Sequence, residues 1–287
     1  MSGVTVFRLY LENDLNRVYT QSMVDVVRAE LDVVLDATVG PAKSVTVSTH
    51  GRSSVLSVDH DDDISGAVTS MSATAAVFVE RAPTALEPVP CDDDLAFGTD
   101  VVTTQRYKGK TNERLTRLMV NTARVLDASK AVNARSIIDP MCGRGTTLNW
   151  ALLYGIPAVG LDIDRRALDE YATFLQQWAQ GHRFPHRMQR FKKERSDGRH
   201  FEFSVARDRA TLEAKQTPDI RVFHAPADAE RVPVGKASMV VSDLPYGIQH
   251  RGRSAKAATS IAALIEQLSP RWTEWIRIGG SLAMSWT

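Results

Sequence analysis

Three tracts of the chain hold residues whose types and spacing can do chemistry. The first, Asp139-Pro140-Met141-Cys142-Gly143-Arg144-Gly145-Thr146, follows an apolar run and opens a helical pattern. Glycines at that point let backbone approach a ligand closely, at the carboxyl end of a strand where doubly wound sheets bind their ligands. By itself the glycine pair serves a tight turn equally well. The second tract, Gly160-Leu161-Asp162-Ile163-Asp164, ends the next apolar run and sets a carboxylate where it can hold a ribose diol. Together the two favour an adenosine-bearing cofactor. The third, Ser242-Asp243-Leu244-Pro245-Tyr246-Gly247, ends a later apolar run with an acid, a proline that stiffens the turn and an aromatic ring.

Elements of regular structure must position these tracts. Val4 to Leu11 reads as a strand, and Arg17 to Leu35 carries apolar residues at helical spacing. Ser44 to Thr49 and Ser53 to Val58 alternate around His50-Gly51, Asp61 to Ser70 reads as a short helix, and Ala75 to Glu80 as a further strand. The order β-α-β-β-α-β is that of a ferredoxin-like α+β sandwich. Arg81 to Asp100, with three prolines and the acidic run Asp92-Asp93-Asp94, reads as a linker with solvated charges. A helix from Asn112 to Leu126 follows. Strands at 136–139, 158–162, 220–224, 238–242 and 281–286 then alternate with helices at 146–154, 165–180 and 258–275, which predicts a parallel sheet wrapped on both faces. The expected domains are 1–95, an α+β accessory unit with its linker, and 96–287, the unit that carries the chemistry.

Composition excludes several classes of protein. At 287 residues, 43% hydrophobic and 24% charged, the chain is neither disordered nor collagen-like. No window reaches the apolar length of a membrane span, and the first residues lack a signal-peptide pattern, so no membrane partner and a cytoplasmic location are expected. Two cysteines, Cys91 and Cys142, without a CxxC build neither a disulfide framework nor a zinc site, and no metal is called for. The net charge of +1 hides an asymmetry: residues 1–95 hold 6 basic against 15 acidic side chains, and 96–287 hold 29 against 19. The second part is the one suited to an anionic partner such as nucleic acid.

Asp243-Leu244-Pro245-Tyr246 resembles the Asp/Asn-x-Pro-Phe/Tyr signature of class I S-adenosylmethionine-dependent methyltransferases that modify exocyclic amino groups of bases. With the loop from Asp139 to Thr146, Asp162, and the stretch Tyr107-Lys108-Gly109-Lys110-Thr111-Asn112 running on to Asn121, the chain more closely resembles the tRNA guanosine-N2 methyltransferases over residues 103–287, the insertion at about 181–210 excepted. The resemblance implies a Rossmann-like class I methyltransferase sheet, S-adenosyl-L-methionine as cofactor, and RNA, tRNA first, as substrate. It implies that Asp139, Pro140, Cys142, Gly143, Gly145 and Thr146 pass under the methionine part of the cofactor. Asp162 would bind the ribose, Ile163 pack on the adenine, and Asp228 receive the adenine amino group, although Asp228 also reads as a helix cap. The Cys142 side chain reads as packing.

The chemistry of a base amino group fits the catalytic tract. Its lone pair is delocalised into the ring, so catalysis must orient the nitrogen and favour its pyramidal form. Asp243 can accept one N–H, a carbonyl of the Leu244-Pro245 turn the other, and Tyr246 can stack on the base. A DNA amino-methyltransferase acting on adenine N6 or cytosine N4 shares this logic, and an inactive nucleic-acid-binding relative would keep the fold. The insertion holds seven basic residues between His182 and His200, among them Arg187, Arg190, Lys192 and Lys193, interleaved with Phe184 and Phe191. Phosphate contact and base stacking suit such a segment, as a solvated loop does, and Arg251 and Arg253 offer a second basic pair. Two features depart from the family. Residues 1–95 lack the pattern of the RNA-binding THUMP domain, which leaves substrate anchoring by that route unsupported. The chain also stops at what reads as the fifth strand, so the expected sheet is short, by truncation or by nature.

Overall fold

The computed structural model describes residues 4–12, 17–82, 85–90, 95–107, 110–129, 135–191, 198–227, 229, 232–244 and 261–286, the side chains of 17–22 and 261 excepted. The chain divides into two compact units, Met1–Asp94 and Leu95–Thr287.

The first unit runs β1 (Thr5–Leu11), α1 (Arg17–Thr38), β2 (Ser44–His50), β3 (Ser53–His60), α2 (Ser65–Val68), β4 (Thr74–Ala82) and β5 (Ala85–Val89). Its sheet has the order β2-β3-β1-β4-β5 with every pairing antiparallel. Alternate residues Phe7, Leu9 and Leu11 of β1 turn inward onto Val27, Leu31 and Leu35 of α1, the strand period meeting the helix period on one core. The first four strands keep the ferredoxin-like order. The expected linker needs correction, because β5 lies within it and α3 (Asp100–Thr103) closes it. Pro88 sits opposite Phe78 on an edge strand, the place in a sheet where a proline is tolerated, so the proline that suggested a linker is compatible with a strand. The second helix is a single turn, and Asp63 Oδ1 accepts the Ser65 N–H at its start. Asp92, Asp93, Asp94 and Cys91 lie outside the described residues.

The second unit continues with α4 (Glu113–Leu126), β6 (Ile137–Asp139), α5 (Thr146–Leu153), β7 (Ala158–Asp162), α6 (Arg165–Gly181), β8 (His186–Arg190), β9 (Arg199–Val205), α7 (Arg209–Glu213), β10 (Asp219–His224), β11 (Ala237–Asp243), α8 (Ile261–Trp275) and β12 (Ile276–Ser285). The seven strands lie in the order β12-β11-β6-β7-β10-β9-β8. From β12 to β10 neighbours are parallel, while β9 and β8 are antiparallel additions at the far edge. The chain steps outward from β6 through β7 to β10, then returns to the other side of β6 with β11 and β12. Its direction of travel therefore reverses between β6 and β11, the place where such sheets open a ligand crevice at the carboxyl ends of their strands. Met239 and Val241 of β11 face one layer of core with Leu148, Tyr171 and Leu175, and Val240 faces the other with Leu268 and Trp272. This is the doubly wound sheet that the alternation of strands and helices predicts.

Two expectations about this sheet fail. The basic insertion contains β8 and β9, and the five-strand sheet has seven strands because this pair extends the edge beside β10. Phe201, Phe203 and Val205 alternate into the core with no exposure, a period of two that the surrounding charges obscure. Phe184 packs on Phe97 and Trp178, with ring centroids 5.1 and 5.5 Å away, and so serves the core and not base stacking. The last strand begins at Ile276, directly after α8, and its register with β11 shifts between Ala237 and Met239. Gly280 permits that shift, since a Cβ there would lie 2.4 Å from the Ser238 carbonyl oxygen.

Trp272 holds α8 against the sheet: it is fully buried, and its indole N–H donates to the Ala227 carbonyl at 3.0 Å. Trp272→Ala is expected to lower the unfolding free energy of the second unit by about 3–5 kcal/mol. Urea unfolding followed by near-ultraviolet circular dichroism measures this, and a loss below about 1 kcal/mol would show that the helix is held by something else.

Candidate active site

Asp139, Asp162 and Asp243 are the last residues of β6, β7 and β11, three strands adjacent in the order β11-β6-β7. Neighbouring strands lie about 4.8 Å apart, so the outer two acids stand on strands about 10 Å apart, with the reversal of the sheet between Asp243 and Asp139.

Asp139 is buried, and its Oδ1 accepts the Met141 N–H and the Ser242 hydroxyl, each at 3.1 Å. Burial pushes its carboxyl up to about 7 against the pull of these bonds and of one from Thr147, and the charge of Asp162 raises it further. Asp162 accepts the Gly143 N–H on Oδ2 at 2.7 Å and the Asp164 N–H on Oδ1 at 2.8 Å, and burial likewise raises its carboxyl. The carboxylate proposed to meet a ribose therefore also ties the glycine loop to β7. The loop is tightly constrained. Gly145 has a φ of 78°, and a Cβ there would come within 2.1 Å of the Tyr171 ring, whose hydroxyl donates to Asn149 at 2.9 Å. Cys142 is buried with its sulfur against Gly160, and burial pushes its thiol well up, so the side chain packs the loop onto β7. Pro140 and Thr146 are buried too, and Ile163, 43% exposed, leaves an apolar face open beside Asp162.

Asp243 is held from two sides. The Thr111 hydroxyl donates to Oδ2 at 2.5 Å and the Ser285 hydroxyl donates to Oδ1, while the Leu244 N–H donates to the Ser285 carbonyl at 2.9 Å. Leu244 itself is fully buried, so its side chain packs and only its backbone can serve the crevice. Sequence reasoning assigned no part to Ser285, Thr111 or Ser242. Thr111 stands in the segment 107–112 before α4, beside the cap residue Asn112, and that proximity is the one local signal of its role. Tyr107, from the same segment, brings its hydroxyl within 3.4 Å of Thr146 Oγ1 under the guanidinium of Arg144, which lies 4.4 Å from the ring centre and pairs with Glu170. Burial raises the Tyr107 phenol.

Of the expected RNA contacts, Arg187 and Arg190 are exposed on β8, and Arg190 donates to the Thr173 hydroxyl at 3.1 Å. His200, buried at the start of β9, meets Asp169 at 3.0 Å, and burial lowers its imidazole. Pro245, Tyr246, Asp228, Lys192, Lys193, Arg251 and Arg253 lie outside the described residues.

Residues 102–285 match a family described as UPF0020, RMKL-like, methyltransferase domain. Two solved structures align with the chain. TrmN from Thermus thermophilus does so at 13% identity and a TM-score of 0.39, over 96% of this chain and 69% of that one. TehB from Haemophilus influenzae does so at 9% identity and a TM-score of 0.32, over 98% of this chain and 64% of that one. No curated protein matches the sequence. Among the described residues no helix is long and apolar enough to cross a membrane.

S-adenosylmethionine is the cofactor of a class I methyltransferase domain, and the residues at the strand ends fit it. The glycine loop leaves room where a side chain at Gly143 would meet nothing within 4 Å, Asp162 offers acceptors for hydroxyls, and Ile163 offers the open apolar face.

The Asp139 carboxyl has a folded value near 7 against 3.8 when unfolded, so between these limits the folded chain keeps a proton that the unfolded chain has lost. Unfolding then releases a proton, and stability contributed by the neutral form is lost as pH rises through about 7. In the cofactor-free protein the unfolding free energy of the wild type, read from urea titrations, should fall relative to that of Asp139→Asn as pH rises from 5 to 8, by an amount on the order of a few kcal/mol. Parallel curves for the two proteins would mean that Asp139 is ionised throughout.

Proposed function

The chain belongs to the UPF0020 family of RMKL-like methyltransferase domains, and from that premise we propose that it methylates an exocyclic amino group of a base in RNA, with guanine N2 in tRNA as the target. In this reading Leu95–Thr287 is the catalytic unit, Met1–Asp94 an accessory one, and the reaction belongs to the cytoplasm. The observation that carries it is the Asp243 carboxylate at the reversal of the sheet, held by hydroxyls on both oxygens.

Each carboxylate oxygen has a second lone pair, so Asp243 can accept an amino N–H while Thr111 and Ser285 keep it in one orientation. The Leu244 backbone turn supplies an acceptor for the other N–H, and Tyr246, next but one along the tract, is the ring proposed to stack on the base. The cofactor supplies a methyl group bound to a cationic sulfur. Asp243 orients the amino nitrogen and stabilises the positive charge that develops on it, and the surplus proton leaves the nitrogen only after the methyl group has arrived. Asp162 and the glycine loop hold the donor. The basic excess of residues 96–287, with Arg187 and Arg190 exposed on β8, supports a polyanionic substrate.

Asp243→Asn keeps an acceptor for one hydroxyl but removes the charge. Single-turnover methylation of total tRNA is expected to fall by about a hundredfold or more, with S-adenosylmethionine affinity within about twofold of the wild type. Methylation at the wild-type rate would remove Asp243 from the reaction, and labelling of genomic DNA in place of tRNA would overturn the substrate.

A further inference from the structure

The two ends of the parallel strands differ in charge. Their carboxyl ends carry Asp139, Asp162 and Asp243, whereas a cavity of about 830 Å³ at the opposite ends of β6, β7, β10 and β11 is lined by Arg124, Arg135, Arg221, Lys236 and Arg277, with Asp219 as the one acid among the described residues. That volume lies within the range of about 300–1,000 Å³ typical of pockets for small ligands. Five cations around one concavity repel one another, and an anion placed there removes the repulsion.

Two of the arginines are anchored in place. The Arg124 guanidinium lies 4.0 Å from the centre of the Tyr154 ring, and its Nε is shut off from solvent with no hydrogen-bond partner. Arg135 donates from Nε to Asp127 at 3.2 Å, which fixes the fork and leaves its terminal nitrogens for another acceptor. The Arg221 and Lys236 side chains have neither a hydrogen bond nor an ion pair among the described residues. Glu202, opposite Arg221 on β9, is occupied by Arg199 at 2.9 Å, and Asp219 accepts the Ser204 hydroxyl at 2.6 Å. Neither neighbouring acid is committed to the cavity's cations.

We propose that this cavity binds a compact ligand bearing two or more phosphates, of about nucleotide size. Arg124, Arg221 and Lys236, counted apart from Arg135 with its partner Asp127, carry more charge than one phosphate neutralises, and arginine forks match phosphate oxygens in pairs. The Tyr154 ring is covered by Arg124 on one side and stacks with Trp150 at 5.9 Å, so recognition rests on the phosphates and not on a base. The site is separate from the donor site by the length of the strands, about 10–20 Å, and does not depend on the proposed reaction.

Pyrophosphate and cytidine triphosphate are suitable calorimetric probes, since neither carries the adenosine that the donor site recognises. The full chain should bind at least one of them saturably. Arg221→Ser together with Lys236→Ser should weaken that binding by about tenfold or more while leaving S-adenosylmethionine affinity and the thermal midpoint unchanged. Tighter binding of cytidine triphosphate than of tripolyphosphate, a third probe with the same number of phosphates, would identify a nucleotide, and equal binding a bare polyphosphate. Absence of saturable binding by the wild type, binding unchanged by the double substitution, or loss of RNA affinity in a protein that binds neither probe would each overturn the proposal.

Discussion

The Asp139 carboxyl is a buried polar group on which three separate pieces of chain converge. The Met141 N–H comes from the glycine loop, the Thr147 bond from the first turn of α5, and the Ser242 hydroxyl from β11, across the reversal of the sheet. A carboxyl group removed from water loses much unless each of its acceptors is used, so the loop, the helix and the neighbouring strand must all arrive in register for the group to be tolerated there. The same bonds tie Ser242, and so Asp243 beside it, to the strand that begins the donor site.

Asp243 shows a second use of hydroxyls. Thr111 precedes α4 and Ser285 ends β12, so the carboxylate is gripped from two elements other than its own strand. An acceptor held in this way needs no rearrangement when charge develops on its partner, which is how fixed dipoles and charges lower a barrier. Gly145 against Tyr171 performs the equivalent task for the loop: the ring fills the space that a side chain would take, and the positive φ turns the chain into α5.

The edge of the sheet beyond β10 departs from a wholly parallel plan. Antiparallel β9 and β8 continue it, with Phe201 and Phe203 facing the core and Arg187 and Arg190 exposed on the last strand. Basic side chains on an edge strand also discourage pairing with another chain, so the charge of this segment has a structural use besides any contact with substrate. Cations thus gather at the edge and at the amino ends of the strands, and acids at their carboxyl ends.

Much of the site was legible locally. A strand, a glycine turn and a helix follow one another within a few residues, so apolar periodicity and the backbone needs of glycine and proline were enough to set Asp139, Asp162 and Asp243 at strand ends and to foresee a doubly wound sheet. The partners of those acids were not legible, because Ser242 and Asp139 lie 103 residues apart, and Thr111 and Asp243 lie 132 apart. The strands hidden in the linker and in the basic insertion were missed for a related reason: Pro88 is unfavourable by composition and acceptable at a sheet edge, and the charges around Phe201 mask an alternation that only pairing with β10 and β8 makes a strand. The cavity of cations likewise draws its side chains from separate segments. Backbone preference acts between near neighbours in sequence and can be read from residue types, whereas hydrogen-bond partners, edges and cavities exist only once distant segments have closed against each other.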